Sequence, residues 1–95
     1  MAIGSFGDES AENFFVKGTL PRKKGWAGVG KVVRRKLDML DYAKELQDLL
    51  SPPNNRLESL SGNLIGYYSI RINDQWRIVF KWSTHPYDVR IVDYH

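Results

Sequence analysis

The stretch "GYYSIRINDQWRIVFKW", residues 66–82, decides how the rest of the chain is read. Trp76, Ile78, Phe80 and Trp82 alternate with Gln75, Arg77 and Lys81. A period of two marks a strand with one buried face, because successive side chains point to opposite sides. Tyr68, Ile70 and Ile72 alternate in the same way against Tyr67, Ser69 and Arg71, and "ND" at 73–74 suits a tight hairpin turn between the two runs. An arginine in the middle of so apolar a strand is either a solvated residue outside the sheet or part of a site. Arg71 and Arg77 share the polar alternation class. Two guanidiniums on one sheet face can clamp a phosphate with bidentate hydrogen bonds; salt-bridged surface arginines are the other reading.

Working outward, "STHP" (83–86) reads as a loop and "YDVRIVDY" (87–94) as a last strand. Upstream, "RLESL" (56–60) is a short strand and "SGN" (61–63) a turn. Short connections between successive strands imply an antiparallel meander. Before the sheet, Val29, Val33, Leu37 and Leu40 recur at helical spacing and predict an amphipathic helix over about 28–41. "DYAKELQDLL" (41–50) predicts a second helical stretch, ended by the prolines and asparagines of "SPPNN" (51–55). At the start, "IGSF" (3–6) predicts a short strand. A helix over roughly 9–17 follows, capped by Asp8 or Ser10 and stopped by Gly18. "TLPRKKGWAG" (19–28) reads as a loop. Helices first and strands after give the α+β class, as one domain over 1–95.

Composition narrows the function. Of 95 residues 42% are hydrophobic and 26% charged, as in an ordinary globular chain, and three Trp, five Tyr and four Phe supply large rings for a core. The absence of Cys excludes a disulfide scaffold and thiolate chemistry and fits a reducing compartment. No signal-peptide pattern opens the sequence and no run approaches the ~20 apolar residues that span a bilayer, so the cytoplasm is expected, with no membrane partner. His85 and His95 have no ligand spacing, and Walker, GxGxxG and nucleophile-elbow motifs are missing; neither metal nor cofactor is expected. The net charge is only +3, yet no acidic residue stands between Glu12 and Asp38. That interval holds Lys17, Arg22, Lys23, Lys24, Lys31, Arg34, Arg35 and Lys36. Such a concentration is either a solvated face or the footprint of a polyanion binder. At the other end Asp93, Tyr94 and His95 place a carboxylate, a phenol and an imidazole in sequence. On an extended chain Tyr94 shares a face with Arg90 and Val92 while Asp93 shares one with His95, so all three converge only if the terminus bends.

Taken in order, "IGSF", "FFVKG", "RKLDMLDYAKELQDL", "SPPNNRLESLSG", "YYSIRINDQWRIVFKW" and "VDYH" resemble the HigB-type toxins of the RelE superfamily, with "SIRINDQWRIVF" and "IVDYH" the most specific parts. The resemblance implies a small domain with helices packed on an antiparallel sheet. It implies a ribosome-dependent endoribonuclease that cleaves mRNA in the 70S A site by metal-independent 2′-OH attack, with no cofactor. It also implies neutralisation by a HigA-type helix-turn-helix antitoxin, and contact with operator DNA through that complex. By position, Arg77 matches the phosphate-stabilising arginine, and Asp93, Tyr94 and His95 match the functional C-terminal segment. Glu58 and Ser61 stand where the family commonly has a histidine and a lysine, so Glu58 becomes the candidate base. Arg71, Asn73, Lys23, Lys24, Lys31, Arg34 and Arg35 are the candidate RNA contacts. Asn73 replaces a residue that is often basic. The rival reading is a non-catalytic RNA- or ribosome-binding module on the same fold.

Overall fold

A computed structural model describes residues 2–23 and 25–94; Lys24 and His95, both singled out above, lie outside the described residues. The first helix, α1, spans Glu9–Lys17. Asp8 caps it, accepting from the Ser10 and Ala11 amides at 3.0 and 3.4 Å, and Gly18 ends it at φ 74°, a left-handed conformation that glycine adopts without steric cost. The other Asp8 carboxylate oxygen accepts from the Ile91 amide at 3.2 Å, so one side chain both starts the helix and fixes it to the last strand.

Helix α2 spans Gly30–Tyr42, and its stripe is buried as the spacing predicts: Val33, Leu37 and Leu40 have no exposure. The loop before it tightens into a 3-10 turn over Gly25–Val29 that seats Trp26, also fully buried, edge-on to Phe14 with ring centroids 5.4 Å apart. Arg34 joins the two helices. Its Nη1 donates to the Phe15 carbonyl at 2.8 Å, its guanidinium lies 4.9 Å from the Phe15 ring, and Asp38 pairs with it at 3.4 Å.

Four strands follow: β1 (Glu58–Ser59), β2 (Tyr68–Arg71), β3 (Trp76–Trp82) and β4 (Pro86–Asp93), paired antiparallel in the order β1-β2-β3-β4. The α+β meander is therefore as expected. Ile70, Ile72, Ile78, Phe80, Val89 and Ile91 face the helices and form the core with Phe14, Phe15, Trp26 and Leu37.

Three local expectations are corrected. Residues 3–6 make no regular strand. They run beside β4 with one parallel bridge, Phe6 to Val89, because the Gly4 and Gly7 amides donate to Pro86 and Val89 carbonyls and Ser5 accepts from Val89. The 41–50 stretch is not one helix. α2 stops at Tyr42, Ala43 turns extended, and a 3-10 turn over Leu46–Leu50 begins at a reciprocal Glu45–Asp48 capping box. Finally, the β2–β3 connection is wider than a two-residue turn. The Ile72 and Asn73 amides both donate to the Trp76 carbonyl, while Asn73 Oδ1 accepts from Gln75 and Trp76. With no glycine to take positive φ, Asn73 closes the loop by its side chain instead.

Leu37→Ala is expected to lower unfolding free energy by about 2–5 kcal/mol through lost burial and a residual cavity. Leu50→Ala, at a side chain 62% exposed, should change it by no more than about 0.5 kcal/mol. Urea denaturation of the two variants checks the assignment of the core.

Candidate functional site

Register places the polar residues of the sheet. Arg71 pairs with Arg77, and Arg77 with Val92; one row over, Glu58 pairs with Ser69, Ser69 with Val79 and Val79 with Arg90. Directly opposed residues share a face. Glu58, Ser69, Arg71, Arg77, Arg90 and Tyr94 therefore lie on the face turned away from the helices, and the two rows are about 7 Å apart along the strands.

Arg77 is not a solvated surface residue. It is 8% exposed, and its guanidinium carbon lies 4.6 Å from the centroid of the Tyr94 ring. Among the described residues, three buried side-chain polar atoms lack a hydrogen-bond partner: Arg77 Nε, Arg77 Nη1 and Ser69 Oγ. All three belong to this face. Buried donors without acceptors are costly, and a guanidinium presenting them is suited to an oxyanion. Tyr94 also forms part of a cavity of about 250 Å³ lined by Glu58, Ser59, Leu60, Ser61 and Leu64. The fold thus gathers Tyr94, Glu58 and Ser61 around one cavity, from the end of β4, β1 and the turn after it, and sets Arg77 of β3 against the Tyr94 ring.

Asp93 points elsewhere. Its Oδ2 accepts from Gln75 Nε2 at 3.0 Å, while the Tyr94 amide donates to the Gln75 carbonyl at 2.7 Å. Asp93 and Tyr94 diverge as strand alternation requires, and His95, the third residue of that segment, lies outside the described residues. Of the proposed RNA contacts, Lys23, Lys31 and Arg35 are exposed, whereas Arg34 is engaged with Phe15 and Asp38. Arg71 is paired with Asp74 in the hairpin loop and shares a cavity with Arg35, Lys36 and Asn73.

A second polar cluster on the same sheet face was not singled out from the sequence. The Tyr67 hydroxyl donates to Asp88, Arg90 pairs with Asp88 at 3.2 Å, and Lys81 Nζ lies 5.1 Å from the Tyr67 ring. The residues alternate in phase with Arg71 and Arg77 on β2 and β3, but a shift in the β3–β4 register between Val79 and Lys81 sets the Asp88 end, and nothing in the sequence marks that bulge. Gly7 passes so close that a β-carbon there would stand 2.0 Å from Asp88 Oδ1. The hydrogen bond from Tyr67, helped by Arg90, holds the Asp88 carboxyl below its ordinary 3.8 against the opposing effect of burial. The same bond, with desolvation, raises the Tyr67 phenol above 10.0.

A small α+β domain, helices on one face of an antiparallel meander and cations with aromatic rings on the other, is the class this geometry defines. The family model for HigB, the RelE-like toxin of type II toxin-antitoxin systems, matches residues 4–95. This chain belongs to that family of HigB-like toxins. Toxin HigB-1 of Vibrio cholerae serotype O1 is 54% identical over 48 residues, covering 50% of each chain. An uncharacterized protein of Haemophilus influenzae is 40% identical over 65 residues, covering 68% of this chain and 64% of its own. The matches thus span about half and under two thirds of these curated relatives.

The Tyr67–Asp88 pair makes stability depend on pH in two directions. Asp88, with a lowered folded value, contributes stability that is fully present above its ordinary 3.8 and lost as pH falls below 3.8 through the lower folded value. Tyr67, with a raised one, contributes stability present below pH 10.0 and lost as pH rises through its folded value. Asp88→Asn should weaken both dependences and let Tyr67 ionise nearer its ordinary value. Unfolding against pH, with tyrosinate absorbance referenced to Tyr67→Phe, measures both; unchanged curves would refute the coupling.

Proposed function

We propose that this chain is a ribosome-dependent endoribonuclease that cleaves mRNA in the A site of the 70S ribosome. The observation that carries the reading is the buried Arg77 guanidinium, with two nitrogens unpartnered among the described residues, against the same Tyr94 ring that walls a pocket with Glu58 and Ser61. In the proposed reaction the ribose 2′ oxygen bonds to the adjacent phosphorus and the bond to the 5′ oxygen breaks. The products are a 2′,3′-cyclic phosphate and a free 5′-OH, with no metal taking part.

Arg77 supplies charge-assisted donors to the phosphoryl oxygens as negative charge accumulates on them. Glu58 accepts the 2′ proton, and the imidazole of His95 returns a proton to the leaving oxygen. Tyr94 holds the guanidinium by its ring and offers a stacking surface to a base. Asp93 fixes the end of β4 through Gln75. Lys23, Lys24, Lys31 and Arg35, with Arg71 and Asn73 at the hairpin, contribute to docking on ribosomal RNA and mRNA, with the salt dependence of phosphate contacts, while Arg34 is engaged between α1 and α2. A HigA-type helix-turn-helix antitoxin neutralises the protein and brings it to operator DNA, and the setting is cytoplasmic.

Glu58 and Ser61 favour one rival. They line the pocket with a carboxylate and a hydroxyl where the resemblance leads one to expect an imidazole and an ammonium, which suits a toxin fold retained for RNA or ribosome binding alone. Cleavage on purified programmed ribosomes separates the two. The wild type should cut in the A-site codon. Arg77→Ala should cut at least about 100-fold more slowly while still binding ribosomes, with partial recovery in Arg77→Lys. Equal cleavage by Arg77→Ala would remove Arg77 from the reaction, and binding without cleavage by the wild type would establish the rival.

A further inference from the structure

We propose that the cavity between α2 and the β2–β3 hairpin is a phosphate-binding site built on the buried ammonium of Lys36, separate from the Tyr94–Glu58 pocket. Lys36 lies one turn from Val33 and from Leu40, on the inward side of α2, and is only 3% exposed. Its Nζ donates to Oδ1 of Asn55 and, at 3.4 Å, to Oδ1 of Asn54. Both acceptors are neutral. Asn55 is itself held in place, its Nδ2 donating to the Leu49 and Ser51 carbonyls at 3.2 and 3.4 Å, so its oxygen is fixed towards the ammonium. An ammonium carries three donors, and two are accounted for. Among the described residues no carboxylate pairs with Lys36, and burial, followed by the nearby Arg35 charge, lowers its pKa from the ordinary 10.5.

A desolvated cation without a counter-charge is an expensive way to tie a loop to a helix, since an apolar side chain of that length would pack there without the penalty. The surroundings supply the reason to retain it. Lys36 lines a cavity of about 280 Å³ with Arg35, Asn54, Arg71 and Asn73. Arg71 also borders this cavity, but its guanidinium is paired with Asp74, so it is not counted among the donors. Two cations, Lys36 and Arg35, and two amides around one opening suit a tetrahedral oxyanion: the guanidinium bonds two oxygens at a time and the ammonium acts as a point charge. A phosphate offers more oxygens and charge than a carboxylate and matches this spread of donors. It is either the backbone diester of a nucleic acid or free phosphate. The inference stands whether or not the Arg77 and Tyr94 site cleaves RNA.

The test is a titration of the full chain, followed by NMR, with inorganic phosphate and separately with a short 2′-deoxy oligonucleotide, which 2′-OH attack cannot cleave. Saturable shifts at Arg35, Asn54, Asn55 and Asn73, absent with chloride at equal ionic strength, are expected. Lys36→Met should weaken binding at least tenfold, and the shifts should persist in Arg77→Ala. Tighter binding of the oligonucleotide identifies a backbone diester as the ligand; saturation by inorganic phosphate alone identifies free phosphate. Equal binding by Lys36→Met, or unsaturable shifts spread over exposed Lys23 and Lys31, overturns the site. Should Lys36→Met fail to fold, exposed Arg35→Gln and Asn54→Ala carry the test: several-fold weakening supports the site, and unchanged binding in both overturns it.

Discussion

Strand β3 is hydrogen-bonded along both edges, to β2 and to β4, and its alternation fixes where every neighbouring side chain falls. Ile78 and Phe80 have no exposure and pack under the helices; Arg77, between Trp76 and Ile78, must then point to the other side. A slip of one residue would drive the guanidinium into the core and expose the rings, so the apolar face enforces the register. That register then sets Arg71 and Val92 beside Arg77, and Glu58 one row away through Ser69. The packing of the core and the composition of the site are one constraint seen from two faces of the same strand.

Two cations are buried among the described residues, and they are held differently. Arg77 rests against an aromatic ring and keeps two nitrogens without partners among the described residues. Lys36 is held by side-chain amides that are anchored in turn to the backbone. A guanidinium is weakly hydrated and stacks on rings, whereas an ammonium is a compact charge that needs oxygen around it. Each environment fits its ion. Neither supplies a carboxylate among the described residues, which leaves the charges available to a ligand instead of neutralised within the protein.

Much of this was legible in the sequence because it follows from periodicity. The α2 stripe, the meander and the shared face of Arg71 and Arg77 come from spacings of two or of three and four, and the first helix's caps from residue type, with Asp8 and Ser10 both open for the start. The features that escaped are those decided by neighbours far along the chain. The division of 41–50 depends on a capping box that competes with helix continuation, and the width of the 72–75 loop on the Asn73 side chain. Burial of Lys36 depends on the loop 51–55 folding over it, which no local pattern announces. The Tyr67–Asp88–Arg90 cluster depends on a bulge. In the site itself, alternation foretold that Tyr94 would part from Asp93, but its stacking on Arg77 requires the β3–β4 register.

The basic interval shows why charge along a sequence is a poor map of charge on a surface. Its eight cations suggest one continuous patch. In the fold Arg34 is spent joining α1 to α2, and Lys36 turns inward beneath the 51–55 loop, leaving Lys31 and Arg35 outside on α2. Meanwhile Arg77, Lys81 and Arg90, scattered among strands rich in apolar residues, gather on one sheet face with Tyr67 and Tyr94. Strand pairing concentrates these charges because it converts distance along the chain into adjacency across it. A polyanion meeting this molecule therefore encounters two differently built surfaces. On α2 the exposed charges are long, flexible and screened, suited to docking. On the sheet the central charge is buried and fixed by a ring, and a fixed desolvated charge can discriminate the position of a single phosphate, which a mobile solvated one cannot.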